Sequence, residues 1–367
     1  MLSDKTIFTL LSSPKKALDL NKDDWMLLIR ILRFELLLGR FAYLFAPFID
    51  EIPDNTLKSY IQKHLNNAIV LADRQRLSVF YECNKLAESL SQVNTPLYFL
   101  KGAAYTLGKH QLANGRTYGD IDLLVSKEEL IQAENTLHIF GWFSKEINDY
   151  DEQYYRQWAH EIPPMAHSSR ETILDLHHNI VPPISGRAPD MSAFLTGAIE
   201  TDSGYILRPA ALTLHSIVHL FLNEDISHGM RDIHDIYMLF TELSDEEYWQ
   251  DLITLARDVN FLNELQLAIL VTDKLFDCNF KIPTGLLIAA STKQMWLAAV
   301  YVKALGPKHY LTTNTVKALC LAVVYIRGHM QKMPLTVLFK HSAFKLWRTT
   351  LEKALGKSYF KKTETTQ

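Results

Sequence analysis

Asp120 and Asp122 flank Ile121 and lead into the apolar run Leu123-Leu124-Val125. Side chains of an extended chain alternate sides, so both carboxylates emerge on one face while Ile121 turns towards apolar packing. Two carboxylates held this close repel, and a hard divalent cation, Mg2+ or Mn2+, relieves the repulsion through oxygen coordination. Such an ion neutralises phosphate charge and orients an attacking oxygen, which points to phosphoryl or nucleotidyl transfer. A third acidic ligand must come from another strand. Asp175 is the best candidate, because Thr172-Ile173-Leu174-Asp175-Leu176 is a second extended apolar patch. There it would bind the catalytic metal and accept the proton of an attacking hydroxyl. The competing readings are a polar turn or an isolated cation site for the pair, and strand-end capping for Asp175.

These carboxylates need strands beneath them and helices around them. Residues 23–47 carry Leu27, Ile31, Phe34 and Leu38 at helical spacing, ending at Pro47, and the pattern resumes from Thr56 to Val93. The character changes at Pro96. A short extended run, Leu97 to Leu100, precedes Lys101-Gly102 and a helix-like stretch to His110, and Gly115 and Gly119 frame the turn into Asp120. Ser126 with Glu129 suggests a capping box for a further helix. Strands are predicted near 142–147, 160–165 and 172–176. After a connection rich in breakers, Pro182, Pro183, Gly186 and Pro189, the chain is predicted to be helical again from Pro209, where Leu212, His215, Ile217, His219 and Phe221 begin a long patterned segment, and on through 231–241, 246–276, 284–304, 311–330 and 335–354.

The 367 residues are 48% hydrophobic and 22% charged, an ordinary globular composition that excludes disorder as the organising principle. A formal charge of −3 argues against nucleic-acid recognition as the sole function. Cys83, Cys278 and Cys320 form no short metal-ligand spacing. No basic segment leads into an apolar stretch with a cleavage site, so the cytoplasm is the expected compartment. The apolar runs at 286–302 and 319–326 are interrupted by Lys293 and closed by Arg327, so no membrane insertion is expected.

The combination Leu100-Lys101-Gly102, Arg116-Thr117-Tyr118-Gly119-Asp120-Ile121-Asp122-Leu123-Leu124-Val125 and Leu174-Asp175-Leu176-His177-His178, extended by His215 to His219 and Arg231-Asp232-Ile233, resembles the nucleotidyltransferase superfamily, in particular its uncharacterised bacterial nucleotidyltransferase-like proteins. Lys101-Gly102 stands where the superfamily usually has a glycine-serine pair, a replacement that resembles this subgroup. The resemblance spans roughly residues 95–240. It implies an α+β fold, a nucleotidyltransferase-like mixed β-sheet domain with N-terminal and C-terminal helical modules, and dependence on a divalent metal. The expected division is a helical module over 1–94, the α/β core over 95–185 and a helical domain over 186–367.

The implied reaction is transfer of a nucleoside monophosphate from a nucleoside triphosphate, ATP among the candidates, to the hydroxyl of a small-molecule, protein or RNA acceptor. Lys101 would contact a nucleotide phosphate and Gly102 would let the backbone approach closely, with a plain strand-to-helix turn as the alternative. Arg116 would neutralise phosphate charge or orient Asp120, or else form a structural ion pair. His177 would assist the acceptor or be a buried, hydrogen-bonded histidine. His215 and His219 share a helix face. With Asp232, Asp235, His228 and His234 nearby, a metal-dependent phosphohydrolase is an alternative, and a retired interaction module keeping the fold is another. The preferred reading gives this patch a structural or substrate-lining role, with His219 near Asp232 and Arg231 facing the cleft.

Overall fold

The computed structural model describes residues 2–144, 149–278, 280, 282–283, 289–334, 336–339, 347 and 350–351. The chain opens on helices that begin where short polar side chains cap them. Ser3 accepts from the Thr6 amide to start α1 (Asp4–Ser12), and Asn21 accepts from Asp24 to start α2 (Lys22–Phe34). The single helix expected over 23–47 is two, because Leu36 adopts a φ of +60° and the chain restarts as α3 (Leu38–Phe45). Asp54 then caps the long α4 (Asn55–Ser89), whose buried stripe of Ile61, Leu65, Ala72, Val79, Cys83 and Leu86 repeats at spacings of three, four and seven.

A mixed sheet follows. Its elements in chain order are β1 (Tyr98–Phe99), α5 (Lys101–Leu107), β2 (Ile121–Leu124), α6 (Leu130–Ile139), β3 (Trp142–Ser144), α7 (Asp149–Trp158), β4 (Met165–His167), β5 (Ile173–His177), α8 (Met191–Leu195), β6 (Ile199–Thr201) and β7 (Gly204–Ile206). The spatial order is β3-β4-β5-β2-β1-β7-β6. β2 lies at the centre, buried at all four positions, parallel to β5 and antiparallel to β1. Of the strand expected over 160–165, only Met165 enters a strand, and Glu161 forms an isolated bridge to His177 instead. The β6–β7 hairpin, for which no strand was predicted, lies between the proline-rich connection and the helix expected from Pro209. It joins the sheet because β7 runs parallel to β1, and Gly204 permits the fit: a Cβ there would lie 2.7 Å from the Leu97 carbonyl oxygen.

The remaining described chain is largely helical: α9 (Pro209–Leu222), α10 (Gly229–Glu242), α11 (Glu246–Asp258), α12 (Leu262–Phe276), α13 (Thr292–Ala304) and α14 (Thr315–Lys332). Pro209 occupies the first turn of α9, where its missing N–H costs no hydrogen bond. Almost every residue of α9 is buried, since α10, α11, α12 and α14 pack around it while Tyr105 of α5 bonds Ser216 at 2.6 Å on its sheet side. The helical signal over 246–276 is divided at Asn260, which has a φ of +60°. A capping box at Ser291 and Gln294 starts α13; residues 284–288 of the segment expected there, and most of the helix expected over 335–354, lie outside the described residues. One cluster of buried side chains runs from α1 through the sheet to α14, so the helices and the sheet share a core. No described helix is long and apolar enough to cross a membrane.

Candidate functional site

The pairing of β2 with β5 sets the site. Ile121 faces Leu174, Asp122 faces Asp175, Leu123 faces Leu176 and Leu124 faces His177 across the two parallel strands. Because side chains alternate along a strand, Asp122, Asp175 and His177 share one face, while Ile121, Leu123, Leu174 and Leu176 form the opposite, apolar one. A one-residue slip would exchange these faces and bury the carboxylates in the core, so the apolar pattern specifies the register. Ligand atoms of Asp122, Asp175 and His177 all lie within 4.8 Å of one another. Asp120 sits just before β2, exposed at the rim, and borders both cavities described below.

Asp122 is the electrostatic hub. Lys101 Nζ donates to its Oδ1 at 2.8 Å and His177 Nε2 donates to the same oxygen at 3.1 Å. Burial alone would raise its pKa, but these two groups hold it well below the usual carboxylate range. Lys101 reaches this position because the Leu100 amide bonds the Asp122 carbonyl at 3.0 Å as β1 gives way to α5. The turn leaves Lys101 with a φ of +43°, a conformation non-glycine residues seldom adopt. Strain is therefore concentrated on the residue that grips the central carboxylate. The neighbouring acids carry the opposite shift. Burial, reinforced by Asp122 and Glu161, pushes Asp175 up to about 7, and its Oδ1 is buried without a hydrogen-bond partner. Asp120, which reaches solvent at the rim, is raised chiefly by the charge of Asp122.

Two adjoining cavities open over these groups, of about 200 and 160 Å³, sharing Lys101, Asp120, His219 and Asn223. The larger has a helical wall that brings Arg231, Asp232 and Asp235 of α10 opposite Asp120 and Asp122. Arg231 bonds its neighbour Asp232 at 3.0 Å. Arg116 is buried and bonded to Asp235 at 3.0 Å, between the rings of Tyr105 and Tyr118, so its carboxylate partner is on α10. Asp235 also receives Arg40 of α3 at 2.9 Å. Gly102 is bare for a steric reason: a Cβ there would meet Arg116 Nη1 at 2.7 Å. His219 of α9 lines both cavities, and burial, with Lys101 nearby, lowers its pKa well below the usual histidine value.

Sequence reasoning did not single out His160 and Glu161. Both line the smaller cavity, and Glu161 Oε2 lies 3.4 Å from His177 Nε2. Their signal was weak, since the His-Glu pair falls in a short run ending at Pro163-Pro164 and only the bridge to β5 places it. Conversely, His215, His219, Asp232 and Asp235 form no metal-ligating group among the described residues, where the groups are Asp122-Asp175-His177 and His160-Glu161-His177.

The profile of a family described as "Uncharacterised nucleotidyltransferase" matches residues 21–277. No curated protein matches the chain, and no solved structure does.

Proposed function

The chain belongs to that uncharacterised nucleotidyltransferase family, and from this premise we propose that it transfers a nucleoside monophosphate from a nucleoside triphosphate to an acceptor hydroxyl with the help of Mg2+ or Mn2+. The observation that carries the proposal is the parallel register of Asp122 with Asp175, which gathers carboxylates from separate segments on one face of the sheet. The donor set fits a hard cation, because the clustered atoms are mainly carboxylate oxygens and the buried Asp175 Oδ1 has no protein partner. Asp120, Asp122 and Asp175 would hold such an ion, which when bound neutralises triphosphate charge and acidifies the attacking hydroxyl.

The chain's own residues then divide the work. Asp175 accepts the proton of the acceptor hydroxyl as the hydroxyl oxygen bonds the α-phosphorus, and the bond from the α-phosphorus to the oxygen bridging it to the β-phosphate breaks to release pyrophosphate. Lys101 exchanges its bond to Asp122 for a phosphate oxygen, beside Gly102. Arg116, fixed by Asp235, supplies positive charge at the wall of the same cavity without leaving its partner. His177 orients Asp122, and His219, Arg231 and Asp232 present polar groups to the acceptor from the helical side.

The test is incubation of the full chain with labelled ATP, CTP, GTP or UTP, Mg2+ or Mn2+ and candidate acceptors, beside Asp122→Asn. Adduct and pyrophosphate should appear with the wild type and fall at least about a hundredfold in the variant, the upper end of what losing even an outer partner of a metal ligand costs. Equal transfer by both proteins refutes the assignment. Release of inorganic phosphate in place of pyrophosphate would make the chain a phosphohydrolase. Absence of nucleotide and metal binding would leave a retired interaction module, a reading that the Lys101 ion pair on Asp122 also accommodates.

A further inference from the structure

We infer that His160, Glu161 and His177 form a site for one divalent transition-metal ion of the zinc type, adjoining the hard-cation carboxylates through His177. Ligand atoms of the three residues lie within 4.8 Å of one another. Glu161 Oε2 stands 3.4 Å from His177 Nε2 and 3.9 Å from His160 Nε2. Atoms bound to a tetrahedral zinc ion at about 2.0–2.2 Å are separated from each other by roughly 3.4 Å, so this spacing needs only a small contraction around an ion.

The backbone fixes the arrangement in advance. Glu161 pairs with His177 in an antiparallel bridge, the Ile162 amide bonds the Leu176 carbonyl at 3.1 Å, and the His178 amide bonds the His160 carbonyl at 2.8 Å. Two ligands on one short segment are thereby locked against the third at the end of β5. The imidazole rings lie 5.3 Å apart between centroids at 45°, and Nδ1 of each is buried without a hydrogen-bond partner. In each ring Nε2 is thus the nitrogen turned towards Glu161, and an ion there would displace the proton that His177 Nε2 shares with Asp122.

Two imidazoles and a carboxylate suit zinc, cobalt or ferrous iron, whereas magnesium seeks oxygen ligands and keeps its waters. Three protein ligands also leave a coordination position facing the cavity of about 160 Å³ that holds Asp120 and Asp175. His177 belongs to both groups of ligand atoms, and its Nε2 is shared between Asp122 and Glu161. Occupation of the histidine site would take that nitrogen from Asp122 and release the carboxylate from one of its two protein partners.

The test is Co2+ titration of the chelator-stripped full chain, read by visible d–d absorption. One equivalent should bind, Zn2+ should displace it, and excess Mg2+ should not. His160→Ala and Glu161→Gln should each weaken binding at least about tenfold, the loss produced by disturbing even the outer partners of metal ligands. Asp120→Asn should keep the Co2+ spectrum even if it abolishes nucleotidyl transfer, so failure of the transfer reading and failure of this one are told apart. Melting followed by circular dichroism identifies folded variants, and Glu161→Gln carries the test if His160→Ala does not fold. Absence of the absorption band, displacement by Mg2+, or wild-type Co2+ affinity in a folded ligand variant would overturn the inference.

Discussion

Replacing Lys101 by methionine should tighten Mn2+ binding to the carboxylates while impairing use of the nucleotide. The Lys101 ammonium bonds Asp122 Oδ1 at 2.8 Å in a pair with 19% and 4% side-chain exposure, so it acts as an internal counter-ion on an oxygen that a metal would need. A hydrogen bond to a charged group contributes about 1.5–3 kcal/mol net, and each 1.4 kcal/mol is about tenfold in a binding constant. If an incoming ion must displace the lysine, removing it should improve Mn2+ affinity by about tenfold to a hundredfold. Methionine keeps most of the stem, so packing beside Asp122 changes little. Mn2+ binding to the nucleotide-free protein, followed by electron paramagnetic resonance, measures the first effect. Transfer at saturating Mn2+ measures the second, as a raised KM for the nucleotide. Unchanged or weaker Mn2+ binding in Lys101→Met would refute the view that Lys101 occupies the metal's place.

Asp235→Asn should destabilise the fold by about 3–5 kcal/mol, because it removes the single negative charge between the nearly buried Arg40 and Arg116. Urea unfolding followed by circular dichroism checks this, and a loss below about 1 kcal/mol would show that the triad contributes little. Burial, with Arg40 beside it, lowers His234 to about 3. The unfolded chain therefore takes up that proton first, so the contribution is complete above about pH 6.5 and is lost as pH falls towards 3, at roughly 1.4 kcal/mol per pH unit at most. His234→Gln should flatten this part of the stability profile, and an unchanged slope between pH 6 and 4 would refute the assignment.

The acidic motif was legible because alternation and apolar flanks are local properties. Ile121 and Leu123 require a buried face, which sends Asp122 to the other, and the same pattern around Asp175 places it on a comparable strand. What sequence could not supply was the pairing. Parallel strands whose paired residues are 53 positions apart meet through a crossover, and nothing near Asp122 states that Asp175 is its partner residue. The same gap hid Glu161, which reaches the site through one bridge. Arg116 lies four residues before Asp120, so proximity in sequence suggested that carboxylate, yet its partner is Asp235 on α10, 119 positions later. Helix breaks at Leu36 and Asn260 were missed for a different reason. Apolar periodicity continues across both, and neither position carries the glycine that usually advertises a left-handed residue.

The charge lining the cavities limits how a nucleotide can enter. Across the two, Asp120, Asp122, Asp175, Asp225, Asp232, Asp235 and Glu161 face only Lys101, Arg116, Arg231 and Lys332. Arg116 and Arg231 already bond Asp235 and Asp232, and Lys101 bonds Asp122, so little positive charge is free for a triphosphate. The neighbouring charge of Asp122 contributes to both raised pKa values, as the leading cause for Asp120 and after burial for Asp175. A triphosphate arriving without cations would meet the excess negative charge of these walls. Divalent ions held by these carboxylates would reverse the sign of the interaction, so metal and nucleotide should bind with positive coupling at this sheet.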